Sequence, residues 1–313
     1  MTEKIEDNTS DPDVRRLAII NAIDLEKDTA LSIILDGFSD AYSSVREAAA
    51  RAIADFPGEY MLIPLLNLLK DSESNVRIAA ADTLSECNLT ELGYIYKDWI
   101  NNSDNFVRSS LLRALRSLRI PEVAPYALKG LEDASESVRL ESIGVLGYLQ
   151  IPDHASSLSD IAINDNCADV RRAAIGAVSY VLNPDTLLAA LHCLHDHDWQ
   201  VRAEAATTIS KLRPANICDD LLSSLSSEEQ WQVTLKLLLA IGNIKCFHGI
   251  YEVARKLAHP VSNVRKEAAL CLGEIGNPDA IPDLHTVLLD RDPDVRKIAA
   301  WSIAKLSTIQ EEK

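Results

Sequence analysis

Residues 290–306, DRDPDVRKIAAWSIAKL, decide the fold, because near copies of this stretch recur along the whole chain. Its valine, Val295, has a counterpart every 31 or 32 residues towards the N-terminus, which makes ten copies in 313 residues. The ten positions are Val14, Val45, Val76, Val107, Val138, Val170, Val201, Val233, Val264 and Val295. A fixed period of this length is typical of proteins built from stacked repeats rather than of a closed domain.

Two charged positions accompany the repeat valine. The residue after the valine is arginine in nine of the ten copies, and Thr234 is the exception. The residue five before the valine is usually aspartate, and Asn102, Glu228 and His259 stand at the equivalent places in three copies. An acid and a base at fixed positions of most repeats indicate a structural role rather than ligand binding, since charges beside a packing surface need partners.

Each copy reads as a helical hairpin. The valine and the residues four and eight positions later are apolar, as in Val45, Ala49 and Ile53, and therefore share one face of a helix. A second apolar helical segment precedes each turn, for example residues 185–194, and the turn is rich in Asp, Ser, Asn and Pro, which cap helices. The opposite face of the second helix varies from copy to copy, so it is available for binding.

The pattern of Asp, turn, Val-Arg, small and aliphatic residues resembles the HEAT-repeat family, in its short bacterial form of the phycobilin-lyase type. The resemblance covers essentially the whole chain. It implies an all-α fold, a right-handed superhelical α-solenoid of about ten hairpins, with the second helices on the concave side. It also implies a ladder of Asp–Arg contacts between successive repeats. The residues expected in this ladder are Asp40, Arg46, Asp71, Arg77, Asp133, Arg139, Asp165, Arg171, Asp196, Arg202, Asp290 and Arg296.

The repeats run without a linker, so we expect one solenoid domain over residues 13–309. A flexible acidic N-terminus (1–12) and a charged tail (310–313) flank it. Repeat 1 lacks a first helix and reads as an N-terminal cap. No secretory signal and no apolar run of about 18 residues is present, so we expect a cytoplasmic protein with no membrane segment. The six cysteines lack CxxC spacing and fall in different repeats, which predicts free thiols and no disulfide.

Composition and motifs exclude several functions. With 31 basic and 47 acidic residues, the net charge of −16 argues against a nucleic acid or an anionic membrane as partner. No His-Glu dipeptide occurs, which excludes an iron hydroxylase built from similar repeats. No nucleophile motif, Walker motif or dinucleotide fingerprint is present, and we expect no catalytic residues and no cofactor. The densest group of metal-ligand side chains is His192, Cys193, His195 and His197, but it lacks a completed ligand set, so we expect no metal.

The sequence therefore predicts a non-enzymatic scaffold or adaptor that holds a partner protein on its concave face. The alternative is a subunit like the phycobilin lyases, or a maturation or chaperone factor for a cofactor-bearing protein. The repeat pattern does not separate the two classes, and it leaves the oligomeric state open.

A basic run on one second helix is the candidate centre of the partner site. Arg108, Arg113, Arg116 and Arg119 follow one another with no acid among them, which suits an acidic segment of the partner. Arg172 and the aromatic Trp301 project from the same variable face in other repeats and complete the candidate site. Repeat 8 is the next candidate, because Thr234 interrupts the arginines there and its second helix is more apolar than its neighbours.

Overall fold

The computed structural model describes residues 11–86 and 95–311, and these residues form α-helices joined by turns and short 3₁₀ segments, without β-strands. The N-terminal segment predicted as flexible lies almost entirely outside the described residues. In chain order the helices are α1 (Pro12–Ile20), α2 (Lys27–Gly37), α3 (Ser43–Ala52), α4 (Leu62–Leu68), α5 (Ser74–Glu86), α6 (Asn105–Arg116), α7 (Ala124–Gly130), α8 (Glu136–Leu149), α9 (Ala155–Asn164), α10 (Ala168–Ala177), α11 (Pro184–Cys193), α12 (Trp199–Leu212), α13 (Cys218–Ser227), α14 (Trp231–Ile244), α15 (Ile250–Ala254), α16 (Ser262–Ile275), α17 (Ile281–His285) and α18 (Pro293–Glu311).

The helices alternate as the hairpin pattern predicts. The ten repeat valines lie on ten second helices, α1, α3, α5, α6, α8, α10, α12, α14, α16 and α18. In six of the eight hairpins whose first helix is described, the first helix is shorter than the second. Several first helices follow a 3₁₀ turn such as Pro121–Val123, where a proline starts the segment. The prediction of an all-α solenoid of helical hairpins is confirmed.

The chain divides into two compact units, Met1–Leu149 and Gln150–Lys313, each with five repeat valines. Within each unit the second helices of neighbouring repeats pack side by side, and in the eight repeats whose first helix is described, the second helix also packs on that first helix. The single domain expected over residues 13–309 stays a prediction.

The repeat valines form the core of both units. Nine of the ten are at most 1% exposed, and six of these nine are followed four residues later by a fully buried alanine, such as Ala49 or Ala299. Val14 is the exception at 36% exposed, because α1 has no preceding repeat among the described residues to cover it. Small side chains in this row let adjacent helices approach closely, and the larger aliphatic side chains fill the space between hairpins.

Hydroxyl groups supply a further link between second helices that sequence reasoning missed. The seventh residue after the repeat valine is Thr83, Thr208 or Ser302 in three repeats, and each donates to a carbonyl oxygen of the preceding second helix. The donor–acceptor distances are 2.8 Å, 3.0 Å and 2.8 Å respectively. All three hydroxyls are buried, so these contacts satisfy groups that would otherwise be costly to bury.

Candidate functional site

The acid and base of the repeat form contacts between successive repeats, and most of these contacts are bidentate. An arginine of one repeat reaches the carboxylate of the next, and its Nη1 donates to main-chain carbonyls of its own turn, as Arg46 does to Asp40 and Ala41. Each acid also caps its turn by accepting from the main-chain N–H two residues later, as Asp71 does from Glu73. The shortest N–O distances are Arg15–Asp40 2.6 Å, Arg46–Asp71 2.7 Å, Arg77–Asp104 2.8 Å, Arg108–Asp133 2.8 Å, Arg171–Asp196 2.7 Å, Arg202–Glu228 2.7 Å and Arg265–Asp290 2.7 Å.

Two departures from the repeat pattern, which involve three residues, are compensated within this set of contacts. Where Asn102 replaces the acid of repeat 4, Arg77 reaches Asp104 instead, two residues further along. Where Thr234 replaces the arginine of repeat 8, the acid of repeat 9 is replaced as well, by His259. Thr234 donates to the carbonyl of Gln230, and His259 Nδ1 accepts from the N–H of Val261, so the histidine keeps the turn-capping role without a charge.

Arg139, Arg296 and Asp165 also belong to the expected ladder, and each forms hydrogen bonds within its own turn. Arg139 donates to the carbonyls of Asp133 and Ala134, and Arg296 donates in the same way to Asp290 and Arg291. Asp165 accepts from the N–H of Cys167 at 2.8 Å. These contacts fix the turn between the two helices of a hairpin.

The contacts shift the carboxyl groups to the charged form. The Arg265 guanidinium lowers the pKa of Asp290 to about 2, and Arg46 and Arg15 likewise lower the pKa values of Asp71 and Asp40. A pKa that is lower in the folded state means that the ionised form stabilises the fold.

We therefore expect the stability of the protein to fall with acid. The contribution is fully present above about pH 4, the ordinary range of an aspartate, and is lost as the pH drops through about 2. Urea unfolding followed by tryptophan fluorescence from pH 7 to pH 2 measures this. A midpoint that is unchanged between pH 4 and pH 2 would contradict the assignment.

The predicted basic run has acidic neighbours that sequence reasoning missed. Arg113 Nη1 lies 3.3 Å from Asp82 of α5, and Arg116 Nη1 lies 3.3 Å from Glu141 of α8. Burial raises the pKa of Glu141 above its ordinary value, although the positive charges of Arg116 and Arg113 act in the opposite direction. The acids come from the helices on either side, and this is why the local sequence of α6 did not reveal them.

Arg113 lines a groove on the second-helix face of the first unit. The groove has a volume of about 480 Å³ and lies across α5, α6 and α8. Ile78 and Phe106 give it apolar walls, and Arg113 lies with Asp82 and Glu141 along it. Arg113 is 44% exposed, so its guanidinium is accessible for contacts beyond Asp82.

Arg172 and Trp301 lie in the second unit, four repeats apart. Arg172 is exposed and pairs with Asp169 one turn earlier, at 2.8 Å. Trp301 is 46% exposed, and Lys305 Nζ lies 5.0 Å from the centroid of its ring. The indole therefore presents a large apolar surface next to a positive charge.

The cysteines differ from the prediction. Cys218 and Cys246 form a disulfide, which corrects the expectation of free thiols throughout. Cys218 begins α13 and Cys246 follows α14, so the two belong to one hairpin rather than to different repeats. The start of the first helix and the end of the second lie at the same end of an antiparallel hairpin, so the two residues can meet. Cys167, Cys193 and Cys271 are free, and Cys87 lies outside the described residues.

The structure separates the side chains of the histidine group. Cys193 is fully buried and its thiol lies 3.3 Å from the carbonyl oxygen of Ala162, whereas His192, His195 and His197 are exposed. Burial raises the pKa of the Cys193 thiol to about 12. The buried thiol therefore packs in the core and does not converge with the histidines.

Comparisons with known proteins agree with the helical-repeat architecture. A family model described as HEAT repeats matches residues 3–85, 31–116, 155–242 and 250–312. No curated protein matches the chain. In the described part of the chain, no helix is both long enough and apolar enough to cross a bilayer.

Solved structures show the same type of fold. YibA of E. coli is 21% identical, with 84% of this chain and 97% of that chain covered and a TM-score of 0.65. Kap95p, whose structure describes its binding to RanGDP, is 14% identical over 96% of this chain and 49% of that chain, with a TM-score of 0.64. The complex of CpcE and CpcF of phycocyanin lyase from Nostoc sp. PCC7120 is 22% identical over 56% of this chain and 74% of that chain, with a TM-score of 0.45. The first two show the fold alone, and the third is too dissimilar to carry an argument.

Proposed function

Because the chain belongs to the HEAT-repeat family, we propose that it is a non-enzymatic scaffold that holds a partner protein against its second helices. The observation that carries this proposal is that the buried positions and the exposed positions of each repeat follow different rules. The residues that recur from copy to copy are used in the core and in the contacts between repeats, whereas the exposed face of the second helices carries side chains that vary along the chain. Such a face has the variety that specific recognition needs.

In the first unit, the groove around Arg113 is the proposed contact region. An arginine between Asp82 and Glu141 can exchange one of these partners for a carboxylate of the bound protein, and its planar guanidinium suits a bidentate contact. Arg116 lies one turn later on the same helix and stacks near the Tyr148 ring, 5.6 Å from its centroid. Arg172 and Trp301 supply further contacts in the second unit.

The test is charge reversal in this groove. We expect Arg113→Glu with Arg116→Glu to weaken partner binding more than tenfold, about 1.4 kcal/mol, because two guanidinium contacts become repulsive. The partner is captured from native cells, identified by mass spectrometry, purified, and titrated against each variant by calorimetry.

The matched control is Lys27→Glu with Arg255→Glu, which changes the net charge equally on exposed residues of first-helix segments. Circular dichroism must show an intact fold in both variants. Equal affinity of the groove variant and the control would remove the groove from the proposal. A bilin on the purified chain would favour the lyase-like alternative.

A further inference from the structure

The side chain at one exposed position of the repeat is charged in the middle of the first unit and apolar at the end of the second unit. This position is the sixth residue after each repeat valine, on the exposed face of the second helices. In the first unit this position carries Arg51, Asp82 and Arg113 in the three middle repeats. In the last three repeats of the second unit it carries Leu239, Leu270 and Trp301, which we term the apolar column.

The apolar column is a continuous feature of three adjacent helices. Its members are each 31 residues apart and lie on α14, α16 and α18, which pack side by side in that order. Leu239 is 40% exposed and Trp301 is 46% exposed, with Leu270 half-buried between them. Adjacent packed helices lie about 8–10 Å apart, so the column extends over roughly 20 Å.

Two glycines bring the helices that carry the column close together. Gly242 and Gly273 follow Leu239 and Leu270 by three residues, and both glycines are buried against the next helix. A Cβ at Gly273 would lie 2.5 Å from the hydroxyl oxygen of Ser302, so a larger residue there would push the two helices apart.

Lysines surround the column in a chain that is otherwise strongly acidic. Lys236, Lys266 and Lys297 lie two or three residues after their repeat valines, and Lys305 lies one turn after Trp301. Against these four lysines stand two glutamates on the same face, Glu267 and Glu274. Glu274 is already paired with Lys305 at 2.9 Å.

We propose that the apolar column binds an acidic segment of a partner protein that carries large apolar side chains about 10 Å apart. This inference rests on the proposed scaffold function and names the chemistry of the partner. The apolar side chains of the segment cover Leu239, Leu270 and Trp301, and its carboxylates meet the surrounding lysines. Trp301 provides the largest contact area, as buried aromatic residues do at interfaces.

Charge argues against two other occupants. A second copy docking through the same face would bring the lysines of both copies together. An anionic membrane would attract the lysines but would repel a chain of net charge −16. An acidic segment alone matches both the apolar column and its basic surroundings.

The probe is a fluorescein-labelled peptide of about fifteen residues with leucine at every third position and Glu or Asp elsewhere. In a polyproline II conformation, which has three residues per turn and rises about 3.1 Å per residue, this spacing places the leucines on one face about 9 Å apart. Two control peptides have the same length. In one, lysine replaces every acidic residue, and in the other, serine replaces every leucine. We expect fluorescence anisotropy to show saturable binding of the acidic leucine peptide to the full-length chain, and at least tenfold weaker binding of both control peptides.

The protein variants locate the site. Leu239→Ser with Trp301→Ser should weaken binding of the acidic peptide at least tenfold, and Lys266→Glu with Lys297→Glu should do the same. The matched control is Leu188→Ser in α11, which alters a side chain that is 62% exposed elsewhere in the second unit. The proposal is overturned if the acidic and basic peptides bind equally, if the double serine variant binds like the control, or if only phosphatidylserine vesicles bind.

This result is separable from the test of the scaffold. The Lys27→Glu, Arg255→Glu variant should bind the peptide with unchanged affinity, since its substitutions lie on first-helix segments and leave the column intact. If the peptide fails to bind while the captured partner still depends on the Arg113 groove, the column proposal fails and the scaffold stands. If the peptide binds the column but no partner protein can be captured, the scaffold proposal fails instead.

Discussion

Asp290→Ala should destabilise the protein by about 3–5 kcal/mol, the range observed when one member of a buried ion pair is removed. Asp290 and Arg265 have side chains only 9% and 7% exposed, and two parallel N–H···O contacts of 2.7 Å and 2.8 Å join them. Without the carboxylate, the guanidinium keeps its bonds to the carbonyls of His259 and Pro260 but loses its counter-charge. The turn also loses the cap on Asp292.

The matched control is Asp169→Ala, which removes an acid from the exposed pair with Arg172. The two side chains of that pair are 56% and 45% exposed, and exposed pairs contribute at most about 1 kcal/mol. Urea unfolding of the three proteins measures the difference. Arg265→Met added to Asp290→Ala should recover part of the loss, because the unpaired charge is then removed as well. Equal stability of Asp290→Ala and Asp169→Ala would contradict the role given to these contacts.

Loss of the Cys218–Cys246 disulfide should cost about 3.5 kcal/mol, as expected for a closed loop of this size. The bond spans 28 residues and joins the two ends of the hairpin of repeat 8, which is the repeat whose arginine is replaced by Thr234. Cys218→Ser is the suitable variant, because Cys218 is half-buried whereas Cys246 is fully buried. Unfolding of the oxidised protein, the reduced protein and the variant gives the effect.

Cys167→Ser serves as the control, since Cys167 is a half-buried free thiol and its loss should change stability by less than about 1 kcal/mol. Equal stability of oxidised and reduced protein would contradict the expected contribution. The redox state of this pair in freshly isolated protein also bears on the cytoplasmic location, which stays a prediction, because disulfides persist mainly in oxidising compartments.

The repeat itself was predictable because its copies share one pattern of buried residues. Val295, Ala299 and their counterparts define one buried stripe, and ten copies of that stripe can be satisfied only by stacking. The fixed positions of acid and base similarly indicated contacts between repeats. Even the joint replacement by Thr234 and His259 is visible in the sequence, once the contact is known to link one repeat to the next.

The surroundings of the exposed side chains were not predictable in the same way. Asp82 and Glu141 are 31 and 28 residues from Arg113, so a reading along one helix did not place them beside the arginines. The disulfide was not predicted for a related reason, because Cys218 and Cys246 were assigned to different repeats by sequence position. Both cases depend on which side chains adjacent helices bring together, and that follows from packing geometry rather than from local pattern.

The most direct test of the scaffold account is hydrogen–deuterium exchange of the chain alone and in complex with its captured partner. We predict that the partner protects main-chain amides in the second helices, in the segments 105–116, 231–244 and 293–311, and leaves the first helices unchanged. Protection confined to first helices, or no protection at saturating partner, would contradict the claim that the variable face of the second helices holds the partner.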